Sequence, residues 1–418
     1  MAMTVAEKIL ARAAGREAVA PGDQVDARPD FVLAYELRGF TDKFFRTLKE
    51  LGIHQLVDAE RFAIFIDHRV PSKLPSDEQL HVETRQWCQE HGVALYDRRG
   101  IGHQVAAEAG YAAPGALAVH FDGHISQLGT YGTLAFGLHS NLIEAFARER
   151  ISMTVPRSIL VQLSGTPRPG VMARDVFHHV LQVLGPSGCR SMVLELSGSS
   201  LDHFSDDALQ TFTGLAMFTG ALSAIIDPSR FTGDRHRPSP RATFAQVCSD
   251  PNANYAGRYH IDISKLQPLV ALPPNPSNIH GLDTVLGLEV QAGYLGSCAS
   301  GRLEDLRIAA QILSGRHVAP GFSLHIVPTS QAIMAAAASE GLLTHLIEAG
   351  AFVSSPSCDF CSGNIATMTS SQRAVSTGPL NVPGRMGASD SEIILCNPAI
   401  VAASAIEARI ADPRKYLS

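Results

Sequence analysis

Two short segments of this chain have to meet in space if its cysteines are to act together. Cys358 and Cys361 stand at a C-x-x-C spacing in Pro356-Ser357-Cys358-Asp359-Phe360-Cys361, close enough to share one metal centre from a single turn. Cys298, in Gly296-Ser297-Cys298-Ala299-Ser300, lies sixty residues upstream and can join them only if the fold brings two loops together. Three thiolates are an unusual donor set. A structural zinc site closes its tetrahedron with four protein ligands, and an electron-transfer 4Fe-4S cluster also takes four thiolates. A cluster held by three leaves one iron open to a water or substrate oxygen, where it acts as a Lewis acid. The spacing alone leaves other readings open, because a lone C-x-x-C also marks a redox pair or half of a zinc site.

The other four cysteines, Cys88, Cys189, Cys248 and Cys396, sit in mixed or apolar sequence and read as small core residues. Seven cysteines in 418 residues do not make a disulfide scaffold. That length is enough for two or three domains with a sizeable core. Lys plus Arg number 34 against 40 Asp plus Glu, with no long run of either sign, so a nucleic-acid surface is not expected. The N-terminus has no basic region leading into an apolar core, and no apolar stretch approaches the roughly 18 residues of a membrane span. A soluble, cytoplasmic enzyme is the expectation, with no membrane partner.

Along the chain, short apolar runs end in acidic residues or histidines and then give way to helical patterns. A helix is expected over 5–14 and another over about 41–51, where Thr41-Asp42 supplies capping oxygens. Phe62-Ala63-Ile64-Phe65-Ile66 reads as a buried strand and ends at Asp67-His68. After a helix over about 76–91, Val93 to Tyr96 leads to Gly100-Ile101-Gly102-His103, and Ala116 to Val119 leads to His120-Phe121-Asp122-Gly123-His124. Three such steps argue for parallel α/β layering with polar groups gathered at one sheet edge. The alternation continues with helices over 132–148, 174–184 and 205–226 and strands over 158–163 and 191–196. Between Asp227 and about His280 it dissolves into a partly irregular connection whose cluster Arg235-His236-Arg237-Pro238 reads as a solvated loop. Helices over 302–313, 331–349 and 398–410 and a strand over 322–327 complete the pattern, without an internal repeat.

Each histidine taken alone is most simply a hydrogen-bonded structural residue. Standing just after predicted strands and near an Asp, His68, His103 and His124 become candidates for acid–base work, because a carboxylate orients an imidazole and stabilises its charge.

The stretch Tyr294-Leu295-Gly296-Ser297-Cys298-Ala299-Ser300-Gly301-Arg302-Leu303-Glu304-Asp305-Leu306-Arg307 resembles the first cluster-ligand segment of the large subunits of 3-isopropylmalate dehydratase and homoaconitase, in the aconitase superfamily. The resemblance extends through Val353 to Cys358, Val375-Ser376-Thr377 and Pro383-Gly384-Arg385-Met386-Gly387, and covers nearly the whole chain. It implies an aconitase-like α/β/α architecture of three domains, 1–155, 156–280 and 281–418, with mostly parallel sheets around a central iron–sulfur site. It also implies a 4Fe-4S cluster on Cys298, Cys358 and Cys361 and a hydro-lyase acting on a hydroxy acid related to an alkylmalate. Asp67 and His68 then help protonate the leaving hydroxyl, and His103, Asp122 and His124 form the wall behind it. Arg385 and Ser376 fall on substrate-binding positions. Single-chain aconitases carry a further mobile domain, so a separate small swivelling-domain subunit is the expected partner.

The sequence also departs from that family. Gly123 replaces a Ser, Gly214 and Phe218 stand where the family has Asn and a Glu that pairs with the histidine at 124, and Leu380 replaces a carboxylate-clamping Arg. Ala299-Ser300 follows the first cysteine where Thr-Asn is usual, which alters hydrogen bonding around the cluster. These changes point to a less acidic or more apolar substrate. They also keep open a changed reaction, such as isomerisation or decarboxylation, or a non-catalytic scaffold or sensor.

Overall fold

Short apolar strands joined by helices build three large sheets, beside a small antiparallel pair of Gln24–Ala27 with Ile151–Thr154, and the helices explain why most strands of the large sheets run parallel. The computed structural model describes residues 2–56, 58–230, 244 and 247–417, so Arg235-His236-Arg237-Pro238 lies outside the described residues. The first helix, Val5–Ala14, is fixed at its start by Thr4 and Glu7 in a reciprocal capping box and ends on Gly15 in the left-handed conformation. The first sheet has five parallel strands in the order Ala94–Asp97, Phe62–Ile66, Phe31–Tyr35, Leu117–His120 and Leu134–Gly137. Four of those strands place a charged or imidazole group at or just beyond their carboxyl ends: Asp97, Asp67, Glu36 and His120.

The second sheet is also parallel, with Ser223–Ile226, Val193–Ser197, Ser158–Ser164 and Gly257–Asp262 side by side. The third has seven strands and a parallel centre. Glu392–Leu395, Arg373–Ser376, Ala292–Gly296, Ser323–Val327 and Phe352–Val353 run together, and the short strands Leu269–Ala271 and Ile279–Gly281 join antiparallel at one edge. The fold is thus α/β with mostly parallel sheets, and separate apolar clusters pack on each sheet. No helix among the described residues is long and apolar enough to cross a membrane.

Several local expectations give way to tertiary packing. The helix expected over 132–148 is the strand Leu134–Gly137 followed by a shorter helix, Leu142–Arg148. Its four strand residues find a partner in Leu117–His120, and Gly137 lets the backbone of Gly123 approach to 2.5 Å from where a Cβ would stand. The long helix expected over 205–226 ends at Leu215, passes through a 3-10 turn and Gly220 at φ 85°, and becomes the strand Ser223–Ile226. The helix expected over 331–349 is two helices, Gln331–Ser339 and Leu342–Glu348, broken at left-handed Gly341. The supposed connection over 227–280 carries three strands that complete two of the sheets.

Candidate active site where the three sheets meet

The strand Ala292–Gly296 delivers Cys298 through a turn that needs glycine. Gly296 has φ 146°, and a Cβ there would lie 2.5 Å from the carbonyl oxygen of Val327. Ser297 follows at φ 99° and Cys298 is buried. Cys358 and Cys361 occupy the 3-10 turn Cys358–Ser362, and the amide of Cys358 donates to the carbonyl of Asp67 at 3.0 Å. That bond fastens the cysteine turn to the carboxyl edge of the first sheet. Asp359 reinforces it by accepting the Arg69 amide at 2.6 Å.

Asp67 is 1% exposed and makes a 2.6 Å bond from its Oδ1 to Nδ1 of His68, while its Oδ2 accepts the Gly102 amide at 2.7 Å. Burial alone raises a carboxylate, but the charge of His68, its hydrogen bond and the Gly102 amide hold Asp67 below the ordinary range. Burial likewise disfavours the His68 imidazolium, yet the charge and hydrogen bond of Asp67 raise its pKa above 6.5. His68 Nδ1 is committed to Asp67, which leaves Nε2 as the nitrogen free to give a proton.

His103, in the helix Gly102–Glu108, has Nε2 4.0 Å from Asp122 Oδ1, and neither of its ring nitrogens has a hydrogen-bond partner among the described residues. Burial lowers the pKa of His103, so its neutral form is favoured. Burial also opposes ionisation of Asp122, but His124, His103 and His120 outweigh it and hold its pKa down. Asp122 accepts the His124 amide at 2.6 Å, and His124 donates through Nδ1 to the carbonyl of Gly214 at 2.7 Å. Phe218 lies beside that imidazole, with 5.9 Å between ring centroids. The His124 ring is thus hydrogen-bonded to a backbone carbonyl, with the Asp122 carboxylate as its charged neighbour.

Arg385 donates through Nη2 to Sγ of Cys361 at 3.0 Å and keeps Nε without a partner. The hydroxyl of Ser376 accepts the Gly378 amide at 2.9 Å, closing the turn after its strand. The ten residues proposed from sequence are therefore not all equally placed. Asp67, His68 and Cys358 converge directly, offering one ligand atom each within 4.8 Å of one another. Arg385 reaches the cysteine turn, and the Ser376 hydroxyl accepts the Gly378 amide, which leaves its own O–H to donate.

The donor set fits a polynuclear metal group. Burial raises the pKa of all three thiols, and the thiolates would repel one another. A bound cation is what converts such thiols to ligands. Asp67, His68 and Cys358 are the only set of three drawn within 4.8 Å among the described residues, so the three sulfurs are not all within 4.8 Å of one another, whereas a single tetrahedral metal holds every pair at about 3.8 Å. Unpartnered buried atoms nearby, Ser357 Oγ, His120 Nε2 and Arg385 Nε, suit a polar occupant.

Sequence reasoning missed the residues that hold this arrangement. Glu36 accepts the amides of Asp67 at 2.8 Å and His68 at 3.0 Å and lies 3.2 Å from His81 Nε2. Its signal was present, since Phe31-Val32-Leu33-Ala34-Tyr35 is an apolar run ending in an acid like those recognised elsewhere. Arg302, fully buried, bonds Gln104, Gln127, Thr211 and the carbonyl of Cys298, tying segments of all three sheets to the first cysteine loop. Arg174 donates to the carbonyls of Thr377 and Gly378, both at 2.6 Å. The four remaining cysteines are free; Cys88, Cys189 and Cys396 are buried and Cys248 is half-buried.

A profile described as "Aconitase family (aconitate hydratase)" matches residues 55–287 and 281–408. The 3-isopropylmalate dehydratase large subunit of Moorella thermoacetica is 36% identical over 423 residues, covering 100% of both chains. The chain belongs to the aconitase family. The 3-isopropylmalate dehydratase large subunit of Aquifex aeolicus is 34% identical, covering 99% of this chain and 97% of its own. A Methanothermobacter thermautotrophicus protein described as "Probable methanogen homoaconitase large subunit" is 32% identical, covering 99% and 98%. A crystal structure of Thermococcus kodakaraensis aconitase X (holo-form) aligns over 86% of each chain at 11% identity and a TM-score of 0.49. Within the aconitase family this chain is a paralogue of hydro-lyase large subunits, and the family's enzymes are iron–sulfur proteins.

Proposed function

We propose that this chain is the large subunit of a 4Fe-4S hydro-lyase that removes water from a hydroxy acid related to an alkylmalate and is altered in substrate relative to 3-isopropylmalate dehydratase. One observation carries the reading: Cys358 is seated on the end of the strand that bears Asp67 and His68. Cys298, Cys358 and Cys361 would hold the cluster, which supplies a Lewis acid for the departing hydroxyl when bound. His68, charged through Asp67, gives the proton from Nε2 that lets hydroxide leave as water. Asp122, His103 and His124 line the opposite side and position the acid. Arg385 supplies fixed positive charge beside Cys361 and Nε for a substrate carboxylate. The hydroxyl of Ser376, which accepts the Gly378 amide, keeps its O–H to donate to a substrate oxygen.

A small swivelling-domain subunit would close the site and bring the base that takes the carbon-bound proton. The three domains would follow the three large sheets, divided near 155 and before Leu269, where the third sheet takes its first strand, rather than at the 280 expected from sequence. Seven free cysteines accord with a reducing compartment, the cytoplasm. The second reading, a cluster-bearing scaffold, draws on Phe218 beside His124.

Anaerobic purification with and without a co-expressed small subunit, followed by iron and sulfide analysis and EPR after mild oxidation, tests the assignment. About four irons per chain and a three-iron signal on oxidation are expected for a three-thiolate cluster. Tightly bound zinc, or no iron, would sink it. A loaded complex inert toward every hydroxy acid tried would favour the scaffold.

A further inference from the structure

Arg302 is the largest fully buried side chain among the described residues, at 0% exposure. Its Nε donates to Gln104 Oε1 at 3.0 Å, Nη1 to Thr211 Oγ1 at 3.2 Å, and Nη2 both to Gln127 Oε1 at 3.3 Å and to the carbonyl of Cys298 at 3.0 Å. Every one of these acceptors is neutral. The two amides are themselves fixed with their oxygens toward the guanidinium, because Gln104 Nε2 donates to Glu108 Oε1 at 3.1 Å and Gln127 Nε2 to Gln210 Oε1 at 3.0 Å. Asp305 spends Oδ2 on the amides of Gly301 and Arg302 and on the Ser300 hydroxyl, and it makes no ion pair with the guanidinium. A cation taken this far from water is costly unless an opposite charge answers it.

The anionic group within reach is the thiolate set. Burial, Cys361 and Asp122 all oppose a thiolate at Cys298, and Arg302 and Arg385 are the charges that favour one. Arg385 serves Cys361 by direct contact with Sγ, whereas Arg302 serves Cys298 through its carbonyl. We infer that Arg302 is a positioning residue and the buried counter-charge of the metal group on Cys298, Cys358 and Cys361, so that loading the site answers a cation otherwise held among neutral dipoles. This rests on the 4Fe-4S reading and deepens it. Gln104 and Gln127 stand in the helical segments Gly102–Glu108 and Gly123–Tyr131 beside the first sheet, and Thr211 in Asp206–Leu215 beside the second. The charge that the metal group satisfies therefore also ties those segments to the Cys298 loop, and loading is linked to their packing.

The test compares full-length wild type, Arg302→Met, Arg302→Lys and Gln127→Glu, each reconstituted anaerobically with iron and sulfide and each stripped by chelator. The readouts are iron and sulfide content, thermal midpoint and the cluster's midpoint potential followed by EPR. The rise in thermal midpoint on loading should shrink by about half or more in R302M relative to wild type. Iron loss to chelator should quicken on the order of tenfold, and the potential should move negative, because a buried positive charge favours the more negative, reduced cluster. R302K keeps the charge and should restore the potential toward that of wild type. Q127E gives Arg302 a carboxylate of similar size and should likewise shrink the rise and move the potential negative. Equal destabilisation of loaded and stripped R302M, with the potential unchanged, would overturn the assignment and leave Arg302 a packing residue. Should R302M not fold, a Q127E with the rise and potential of wild type would overturn it instead. A wild type that takes up no iron would overturn the 4Fe-4S reading itself, and the Arg302 assignment with it.

Discussion

His68 and His124 face the same cleft and are held in different ways. His68 gives Nδ1 to a buried carboxylate at 2.6 Å, whereas His124 gives Nδ1 to a backbone carbonyl at 2.7 Å, with an aromatic ring alongside. Both arrangements orient an imidazole, but only His68 gives its ring nitrogen to a carboxylate. The acid work of this site is therefore concentrated on the Asp67–His68 pair, while His124, which follows another strand of the same sheet, contributes shape.

The largest test of that asymmetry is Asp67→Asn. It keeps the size of the side chain but removes the charge that holds His68 protonated, and turnover should fall about 10²–10⁴-fold. A loss no greater than that of Phe218→Leu would break the distinction between the two histidines. Next in size is the pH response. The raised pKa of His68 means its contribution to stability is complete below about 6.5 and is lost as pH rises through its folded value; the lowered pKa of Asp67 means its contribution is complete above about 3.8 and is lost as pH falls through its folded value. Both contributions are complete between those two limits. Turnover should decline above neutrality about tenfold per unit once His68 deprotonates, and D67N should move that decline to lower pH in a rate profile.

Glu36→Gln turns an amide N–H toward the Asp67 and His68 amides that Glu36 now accepts. A destabilisation of about 1–3 kcal/mol in urea denaturation is expected, with the loss of turnover smaller than in D67N. The smallest effect belongs to His124. Phe218→Leu removes the aromatic ring beside His124 and keeps its bond to Gly214, so turnover should change by less than about tenfold; a larger loss would mean that the ring itself positions His124.

The buried carboxylate Glu195 sharpens the same point away from the site. Its partners are the neutral hydroxyls of Tyr255 at 2.7 Å and Ser249 at 2.8 Å, and burial pushes it up to about 7. Asp67 is more completely enclosed and moves the other way, because its partner carries charge. Burial sets the size of the stakes and the partner sets the sign.

Much of the site could be read before any coordinates. Asp67 and His68 follow an apolar run, and the strand that precedes them pairs over Phe62–Ile66 as that run implies. The cysteines declared a shared centre by spacing and flanks. The segments misread were those whose form depends on a partner: Leu134–Gly137 has too few residues to announce a strand and becomes one by pairing with Leu117–His120. The helix expected through Ile226 likewise ends early because Ser223–Ile226 fits parallel to Val193–Leu196.

By itself the sequence determined the α/β class, the kinship with the aconitase family and the donors a cluster would need, because local periodicity and residue type are written along the chain. Only the tertiary structure decided that Glu36 braces the Asp67–His68 pair and that Arg302 joins Gln104, Gln127 and Thr211 to the Cys298 loop. Those roles are made by contacts between segments tens to nearly two hundred residues apart. Such a contact has no local signature, since its energy arises only after the sheets have brought the partners into a place from which water is excluded.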